Sequence, residues 1–244
     1  MKKILFALAL AVVATACHNN EGNNTIELGK VVINAATRSE INSSEEGRFT
    51  LTNLPTTEEL KVEIVGNGAT HSWATLAEFN TAVSEGLTFT SAPYTITLSH
   101  GEKGAEGWSK PYFEGSTNVE VPMYGLTAEA NVEVVLANAI VAIKTTEQFD
   151  GYFPQSSFKV KNIEWVADKE EMLFVNTGEV KITCEAVRQT GKTTTLESIV
   201  TLKPTTHHTV VFDLSTAGNA EVKVTLDDKI VEVVEQEFEL NENA

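Results

Sequence analysis

The stretch TAEANVEVVLANAIVAI, residues 127–143, decides the fold class of this chain. In its first half Val132, Val134 and Leu136 alternate with other residues, which is the period-two pattern of a strand with one buried face. In its second half the run ANAIVAI is apolar and gives way to the polar segment TTEQFDG. We interpret the stretch as strand-forming sequence that ends one domain, with the boundary just after this run.

The same alternation recurs on both sides of this stretch and predicts many short, half-buried strands. The apolar sets are Val31/Ile33/Ala35, Phe49/Leu51, Val62/Ile64, Tyr94/Ile96/Leu98, Val119/Val121/Met123, Phe158/Val160, Ile163/Trp165/Ala167, Val180/Ile182/Cys184, Ile199/Thr201, Val210/Phe212/Leu214, Val222/Val224/Leu226 and Phe238/Leu240. This spacing is typical of β-sandwiches. We therefore predict an all-β fold of two tandem sandwiches, transthyretin-like or Ig-like, over residues 27–145 and 146–244.

One segment departs from alternation and predicts a short helix in the first domain. Its apolar residues Trp73, Leu76, Phe79 and Val83 recur at intervals of three and four residues, as on one face of a helix. Ser72 is a suitable cap for the start, and Gly86 follows as a stop. We expect the helix to cover a sheet edge or one end of the sandwich.

The N-terminus, MKKILFALALAVVATAC, has the pattern of a lipoprotein signal peptide over residues 1–16. Its apolar run is too short to cross a bilayer, which needs about 20 residues of helix. The small residues before Cys17 predict acylation of that cysteine, and the alternative is ordinary secretion with cleavage after Ala16 and no lipid. Residues 17–26, rich in Asn and Gly, are expected to form a flexible tether.

Charge and the residue after Cys17 narrow the location and the partners. That residue is His18 and not Asp, which favours export to the outer membrane over retention at the inner one. The formal net charge of −16 excludes nucleic acid as a partner, because phosphate binding requires Lys and Arg. It also disfavours anionic lipid head groups, so that membrane attachment depends on the lipid at Cys17. We therefore expect the chain at the outer membrane, either on its periplasmic face or at the cell surface.

The sequence offers no recognisable catalytic or metal-binding constellation, and we predict no enzyme activity, no cofactor and no metal. His207 and His208 are neighbours on a predicted strand, where adjacent side chains point to opposite faces and cannot easily chelate one ion. Cys184 alternates with Ile182 and is interpreted as a small core residue.

The segment SHGEKGAEGWSKPYFEGS, residues 99–116, combines glycines with aromatic residues. Trp108 and Tyr112 are candidate ligand contacts, because aromatic rings bordered by polar residues can stack on sugars. The competing interpretation is structural, with the aromatic side chains divided between core and surface, since buried aromatics are commoner than binding platforms.

A resemblance supports the fold and suggests a function. The series Trp73…Leu76…Phe79, APYTITLSHG, KPYFEGS, LANAIVAI with EQFDGYF, and HTVVFDL…VKVTLDD is similar to a family of Bacteroidota lipoproteins known only as a domain of unknown function. Such proteins resemble fimbrillins and their anchor or tip subunits. The resemblance implies two transthyretin-like sandwiches, and it brings no catalytic residues.

In fimbrillin-like subunits an Arg-specific protease removes the first strand, and a strand of another subunit fills the groove. The resemblance makes Arg38, just after the first predicted strand, a candidate cleavage site. Arg48 and Arg188 are alternatives, and Arg38 is otherwise an ordinary surface residue. Two functions result: a fimbrillin-like or adhesin-type surface component that associates with fimbrial subunits or other surface proteins, and a glycan-binding surface lipoprotein that uses the aromatics around Trp108.

Overall fold

A computed structural model of the chain describes residues 27–43, 47–214, 220–226 and 229–236. Strands dominate these residues, and the all-β fold class is confirmed. The strands are β1 Leu28–Thr37, β2 Glu40–Ser43, β3 Gly47–Thr50, β4 Lys61–Gly66, β5 Ala69–Trp73, β6 Phe89–Thr90, β7 Pro93–His100, β8 Gly107–Trp108, β9 Phe113–Glu120, β10 Thr127–Leu136, β11 Ala139–Thr145, β12 Gln155–Val160, β13 Ile163–Trp165, β14 Leu173–Val175, β15 Gly178–Val187, β16 Thr193–Leu202, β17 Thr206–Leu214, β18 Ala220–Leu226 and β19 Lys229–Gln236. The predicted strand at Phe238/Leu240 lies outside the described residues.

Within the described residues these strands form three sheets. A seven-stranded sheet has the order β5-β4-β7-β9-β10-β1-β6, and a four-stranded sheet has the order β13-β12-β15-β16. An eight-stranded sheet lies along β19-β18-β17-β11-β14-β8, and the hairpin of β2 and β3 joins it through β17. Strands from the first half of the chain therefore belong to a sheet formed mainly by the second half.

Two apolar cores follow from this arrangement. The first core lies against the seven-stranded sheet and is filled by alternating residues of β1, β4, β7 and β10, such as Val31, Ile64 and Leu98. The second core lies between the four-stranded sheet and one face of the eight-stranded sheet, with Ile182, Cys184 and further residues of β15 and β16 at its centre. Each sheet buries one face because its side chains alternate in direction.

The eight-stranded sheet is shared between the two cores. On β11, Ile140 contacts the first core while Val141 contacts the second. On β14, Phe174 likewise faces the first core and Leu173 the second. The apolar run ANAIVAI is thus continuous because its strand is covered on both faces, as in other strands at the centre of a fold. The domain boundary just after this run stays a prediction, and β11 contributes Ile140 to the first core and Ala139, Val141 and Ile143 to the second.

The predicted helix is present as α1, Leu76–Ser84, but it begins later than expected. Ser72 lies in β5, and the cap is Thr75, whose hydroxyl oxygen accepts a hydrogen bond from the backbone N–H of Glu78 at 3.1 Å. The Glu78 carboxylate in turn accepts from the backbone N–H of Ala74, the residue before the cap, at 3.1 Å. Trp73 precedes the helix and packs edge-on against Phe79.

A second helix, α2, Glu147–Tyr152, was not predicted. It begins at Thr146, whose hydroxyl oxygen accepts from the backbone N–H of Phe149 at 3.3 Å. Phe149 is fully buried beside Phe212 of β17, with ring centroids 5.8 Å apart. The segment TTEQFDG therefore forms a short capped helix that packs Phe149 into the second core. Its sequence is too short to show the helical period of apolar residues.

Close approach between β9 and β10 constrains one glycine. A Cβ on Gly115 would lie 2.1 Å from the backbone oxygen of Glu133 and 3.0 Å from the Cα of Val134. Both contacts are to backbone atoms, so a side chain at this position has to push the two strands apart. Gly151 in α2 has open surroundings, since an added Cβ would meet nothing within 4 Å beyond its chain neighbours and the backbone of its own helix.

We predict that Gly115→Ala lowers the free energy of unfolding by about 1–3 kcal/mol, the usual effect of overpacking. The matched control Gly151→Ala should raise it by about 0.4–1 kcal/mol, because alanine restricts the unfolded chain. Urea unfolding followed by circular dichroism measures both values. Equal effects of the two substitutions would contradict the packing of β9 on β10.

Candidate functional site

The N-terminal strand β1 lies beside β10 in a long parallel pairing. Residues Lys30–Thr37 pair in register with Thr127–Val134. Parallel strands that are so distant in sequence are joined by no local turn, and the register depends on the buried side chains. In the β1 burial pattern these are Gly29, Val31 and Ile33, of which Val31 is fully buried.

The opposite edge of β1 is paired only at its beginning. Leu28 and Gly29 pair with Thr90 and Phe89 of β6, and no β6 pairing extends along the rest of the strand in the described residues. Gly29 is required here, since a Cβ would lie 2.1 Å from the backbone oxygen of Pro122. Most of β1 is therefore held by one ladder and by the side chains that it buries in the first core.

Arg38 follows β1 directly, and its side chain is exposed. Its backbone N–H donates to the carbonyl oxygen of Val134 at 2.9 Å and closes the ladder with β10. After Ser39 the chain continues into β2, which leaves the seven-stranded sheet and pairs with β17. The Arg38–Ser39 bond thus lies in the two-residue link where the chain passes from the first sheet to the shared sheet.

The alternative arginines occupy different surroundings. Arg48 lies within β3, and its guanidinium donates to the carboxylate of Glu40 at 2.6 Å on an exposed surface. Arg188 follows β15, and its guanidinium lies 5.4 Å from the centre of the Tyr152 ring. Among the three, Arg38 is the one whose cleavage would release β1 without any of the strands that follow it.

Trp108 lies in the loop that joins β7 to β9, but it pairs with Leu173 of β14 and so belongs to the shared sheet. Its indole packs 5.2 Å from Trp165, between ring centroids, and its Nε1–H donates to the backbone oxygen of Glu164 at 3.3 Å. The ammonium of Lys169 lies 4.4 Å above the Trp108 ring. The ring is half-buried, and one of its faces is occupied by a cation.

Tyr112 is buried, with 8% of its surface exposed. Its hydroxyl donates to the carboxylate of Glu114, which also accepts from Lys103 at 2.9 Å. Burial, followed by this hydrogen bond, raises the pKa of the tyrosine hydroxyl, and the bond from Tyr112 lowers the pKa of Glu114. The structure thus places Trp108 against the second core and closes Tyr112 into a polar pair on the first sheet.

The loop that carries Trp108 and Tyr112 is hydrogen-bonded to residues of the second half of the chain. The carboxylate of Glu106 accepts from the ammonium of Lys161 and from the backbone N–H of Asn176 at 2.8 Å. The side-chain amide of Asn176 donates back to the Gly104 oxygen at 2.8 Å. Sequence reasoning missed these contacts, because the partners lie 55 and 70 residues from Glu106 and no local pattern marks them.

His208 and Cys184, two reactive side-chain types, are buried and closed to solvent. His208 is 2% exposed, and its Nε2 accepts from the backbone N–H of Lys203 at 3.2 Å. Burial, followed by repulsion from His207, lowers the pKa of His208 to about 4. Cys184 is fully buried, and burial raises the pKa of its thiol to about 12. In the described part of the chain, no three His, Cys, Asp or Glu residues are grouped to hold a metal ion.

The signal peptide, Cys17 and the tether of residues 17–26 lie outside the described residues. Among the helices that are described, none has the length and apolar character needed to cross a bilayer.

These sheets and buried side chains define an all-β protein built from stacked sheets around two cores. The chain belongs to the family described as Domain of unknown function (DUF4493), whose model matches residues 25–242. No curated protein matches the chain significantly.

Several solved structures are similar in part. A fimbrial assembly protein from Parabacteroides distasonis ATCC 8503 aligns at 8% identity over 86% of this chain and 98% of that one, with a TM-score of 0.46. A candidate adhesin from Bacteroides ovatus aligns at 10% identity over 85% and 94%, with a TM-score of 0.43. A candidate polysaccharide-binding protein from Bacteroides thetaiotaomicron VPI-5482 aligns at 8% identity over 74% and 90%, with a TM-score of 0.42.

The buried His208 predicts a loss of stability in acid. Its pKa is lowered on folding from the ordinary 6.5 to about 4. As the pH falls below about 6.5, the unfolded chain therefore takes up a proton that the folded chain does not. Unfolding should become easier by about 3 kcal/mol between pH 6.5 and 4 from this residue alone.

We expect His208→Gln to remove this part of the pH dependence, because an amide does not titrate in this range and can still accept from Lys203. His71→Gln, at an exposed position on β5, is the matched control for the replacement of a histidine by glutamine. Urea midpoints measured across the pH range give the comparison. Identical slopes for the His208 variant and the natural chain would show that His208 is protonated normally in the folded state.

Proposed function

We propose that the protein is a non-enzymatic lipoprotein of the outer membrane, anchored through Cys17 at the periplasmic face or the cell surface. It acts by association with other surface proteins, in the manner of a fimbrillin-like or adhesin-type component. The site of association is the groove that β1 now occupies. Because Cys17 and β1 both precede Arg38, cleavage there also releases the folded part from its lipid, so anchoring precedes association.

The observation that supports this proposal is the way in which β1 is held in the seven-stranded sheet. The strand is N-terminal, pairs along one ladder with β10, and ends at an exposed arginine. Once it is removed, the edge of β10 presents unpaired N–H and C=O groups to an incoming strand. Strand addition to such an edge is a common mode of protein association.

Side chains give the groove its selectivity. Val31 and Ile33 are buried in the first core, and each contributes about 1.5–3 kcal/mol through removal of its side chain from water. A replacement strand has to present two apolar side chains at alternate positions, with a small residue where Gly29 approaches Pro122. The groove therefore favours a strand whose pattern resembles that of β1 itself.

The polar and aromatic side chains support association better than catalysis or glycan binding. The thiol of Cys184 is held protonated in the core, and His208 is enclosed beside Lys203. Trp108 packs on Trp165, and Tyr112 has little exposed surface. Trp108 and Tyr112 therefore do not form a joint platform for a sugar.

The cleavage step is tested on purified protein that spans residues 17–244. An Arg-specific protease should cut after Arg38, and samples run without boiling should then form a ladder of oligomers, because the vacated groove accepts strands from other copies. Arg38→Gln should abolish both the cut and the ladder. Arg48→Gln, the matched control on β3, should leave both intact.

A monomer band that persists after complete cleavage at Arg38 would exclude strand exchange between copies of this chain. A chain that resists cleavage under native conditions, but is cut at Arg38 in urea, would show that the link between β1 and β2 does not open.

Anchoring is tested separately in cells. Cys17→Ser removes the thiol that the diacylglyceryl group requires, and we expect the protein to move from the membrane fraction to the soluble fraction. Ser43→Ala, on β2 in the folded part, serves as a control for the effect of a substitution on export. Retention of the Cys17 variant in the membrane would refute the anchor.

A further inference from the structure

Exposed apolar side chains are concentrated at one end of β1. Four of the eight large hydrophobic residues that are exposed in the described residues lie there, and we refer to them as the tip patch. Its members are Leu28, Met123, Tyr124 and Leu126. A cluster of this kind marks an interaction surface more often than isolated apolar residues do.

Backbone hydrogen bonds bring the two parts of the tip patch together. The N–H of Gly125 donates to the oxygen of Leu28 at 2.8 Å, and the N–H of Lys30 donates to the oxygen of Leu126 at 2.8 Å. The turn from Met123 to Leu126 is therefore fixed beside the first residues of β1.

The turn holds Tyr124 in an unfavourable conformation. Tyr124 has a φ of 60° and Gly125 a φ of 72°, with Leu126 N–H donating to the Met123 oxygen at 3.3 Å. Glycine or asparagine is the usual residue at such a position, since a bulky side chain is strained there. Tyr124 is nevertheless 66% exposed and gains little from packing within the fold. Strain that packing does not explain points to a role outside the fold.

We propose that the tip patch rests on the lipid bilayer to which Cys17 is anchored. This inference rests on the proposed acylation of that residue. Ten peptide units separate Cys17 from Glu27, the first described residue, and even fully extended they span only about 35 Å. Because Leu28 of the patch is the next residue, the tether ends at the patch and keeps it close to the head groups.

The chemistry of the patch suits the interfacial region of a membrane. Tyrosine is enriched where one end of a side chain is apolar and the other wet, and Tyr124 is the most exposed member. Glu27, Glu120 and Glu129 are exposed around it, so a zwitterionic surface is preferred over an anionic one. The tether raises the effective concentration of the patch at the bilayer, so a weak contact suffices.

Docking in this way would orient the molecule. Arg38 follows the far end of β1, and ten residues of strand span about 33 Å. A patch held at the bilayer places the first residues of β1 at the membrane and its end, with Arg38, away from it.

The test uses the mature chain, produced without its signal peptide and coupled through the Cys17 thiol to a maleimide lipid in phosphatidylcholine vesicles. Cys184 is buried and should stay unreacted. Tyr124→Trp introduces a reporter of similar bulk, and Ile199→Trp, at another exposed apolar position, is the matched control. Brominated lipid should quench the reporter at position 124 and leave the one at 199 unaffected.

Equal quenching at both positions, or none at 124, would overturn the proposal. A blue shift of the reporter at position 124 that grows with protein concentration in the absence of vesicles would assign the patch to a second copy instead, and would also overturn it. Because coupling is chemical, these results do not depend on whether cells acylate Cys17.

A second variant separates membrane contact from folding. Tyr124→Asn relieves the strain of the turn and should leave the urea midpoint equal or higher. On coupled vesicles, the natural chain should protect the turn around residues 123–126 from hydrogen exchange, and Tyr124→Asn should lose this protection. The same protection in both chains would show that Tyr124 makes no contact with lipid.

Discussion

The parallel pairing of β1 with β10 is the interaction on which the first half of this molecule depends. The two strands are about a hundred residues apart in sequence, so the first core is closed only when the N-terminal strand returns to its partner. Val31 and Ile33 then complete the apolar layer. Because β6 holds only the first two residues of the other edge, β1 can leave without breaking the ladders among β4, β7, β9 and β10.

The shared sheet explains why such a departure need not unfold the rest of the chain. Strands β11 and β14 contribute side chains to both cores, and Glu106 ties the loop before β9 to Lys161 in the second half. The first core is therefore also supported by side chains of the shared sheet. The proposed strand exchange therefore requires the opening of one ladder only, that between β1 and β10, and of the short β6 pairing.

Alternation along the sequence predicted the fold class and most strands, because burial of one face imposes a period of two. It is less informative where the surroundings of a strand decide the pattern. The run ANAIVAI is apolar because two cores cover it, and periodicity alone does not show that a strand is shared. On β16 the buried side chains are Leu196, Ser198 and Val200, while Ile199, predicted to face inward, is 57% exposed.

Long-range contacts could not be predicted from the sequence. The contact between Glu106 and Lys161 and the proximity of the tip-patch residues depend on how distant segments are arranged in the fold. The acylation of Cys17 stays a prediction, because that residue lies outside the described residues. Cleavage at Arg38 also stays a prediction, because the structure gives only the exposure of this residue and its place after β1.

Native-state hydrogen exchange tests most directly whether β1 is a separable closing strand. We expect the amides of β1, and those of β10 that bond to them, to exchange through a common opening of lower free energy than the amides of β7 and β9. That opening should show little dependence on denaturant, because it exposes only one strand and its groove. Exchange of the β1 amides only at the free energy of global unfolding would show that β1 is not a separable strand.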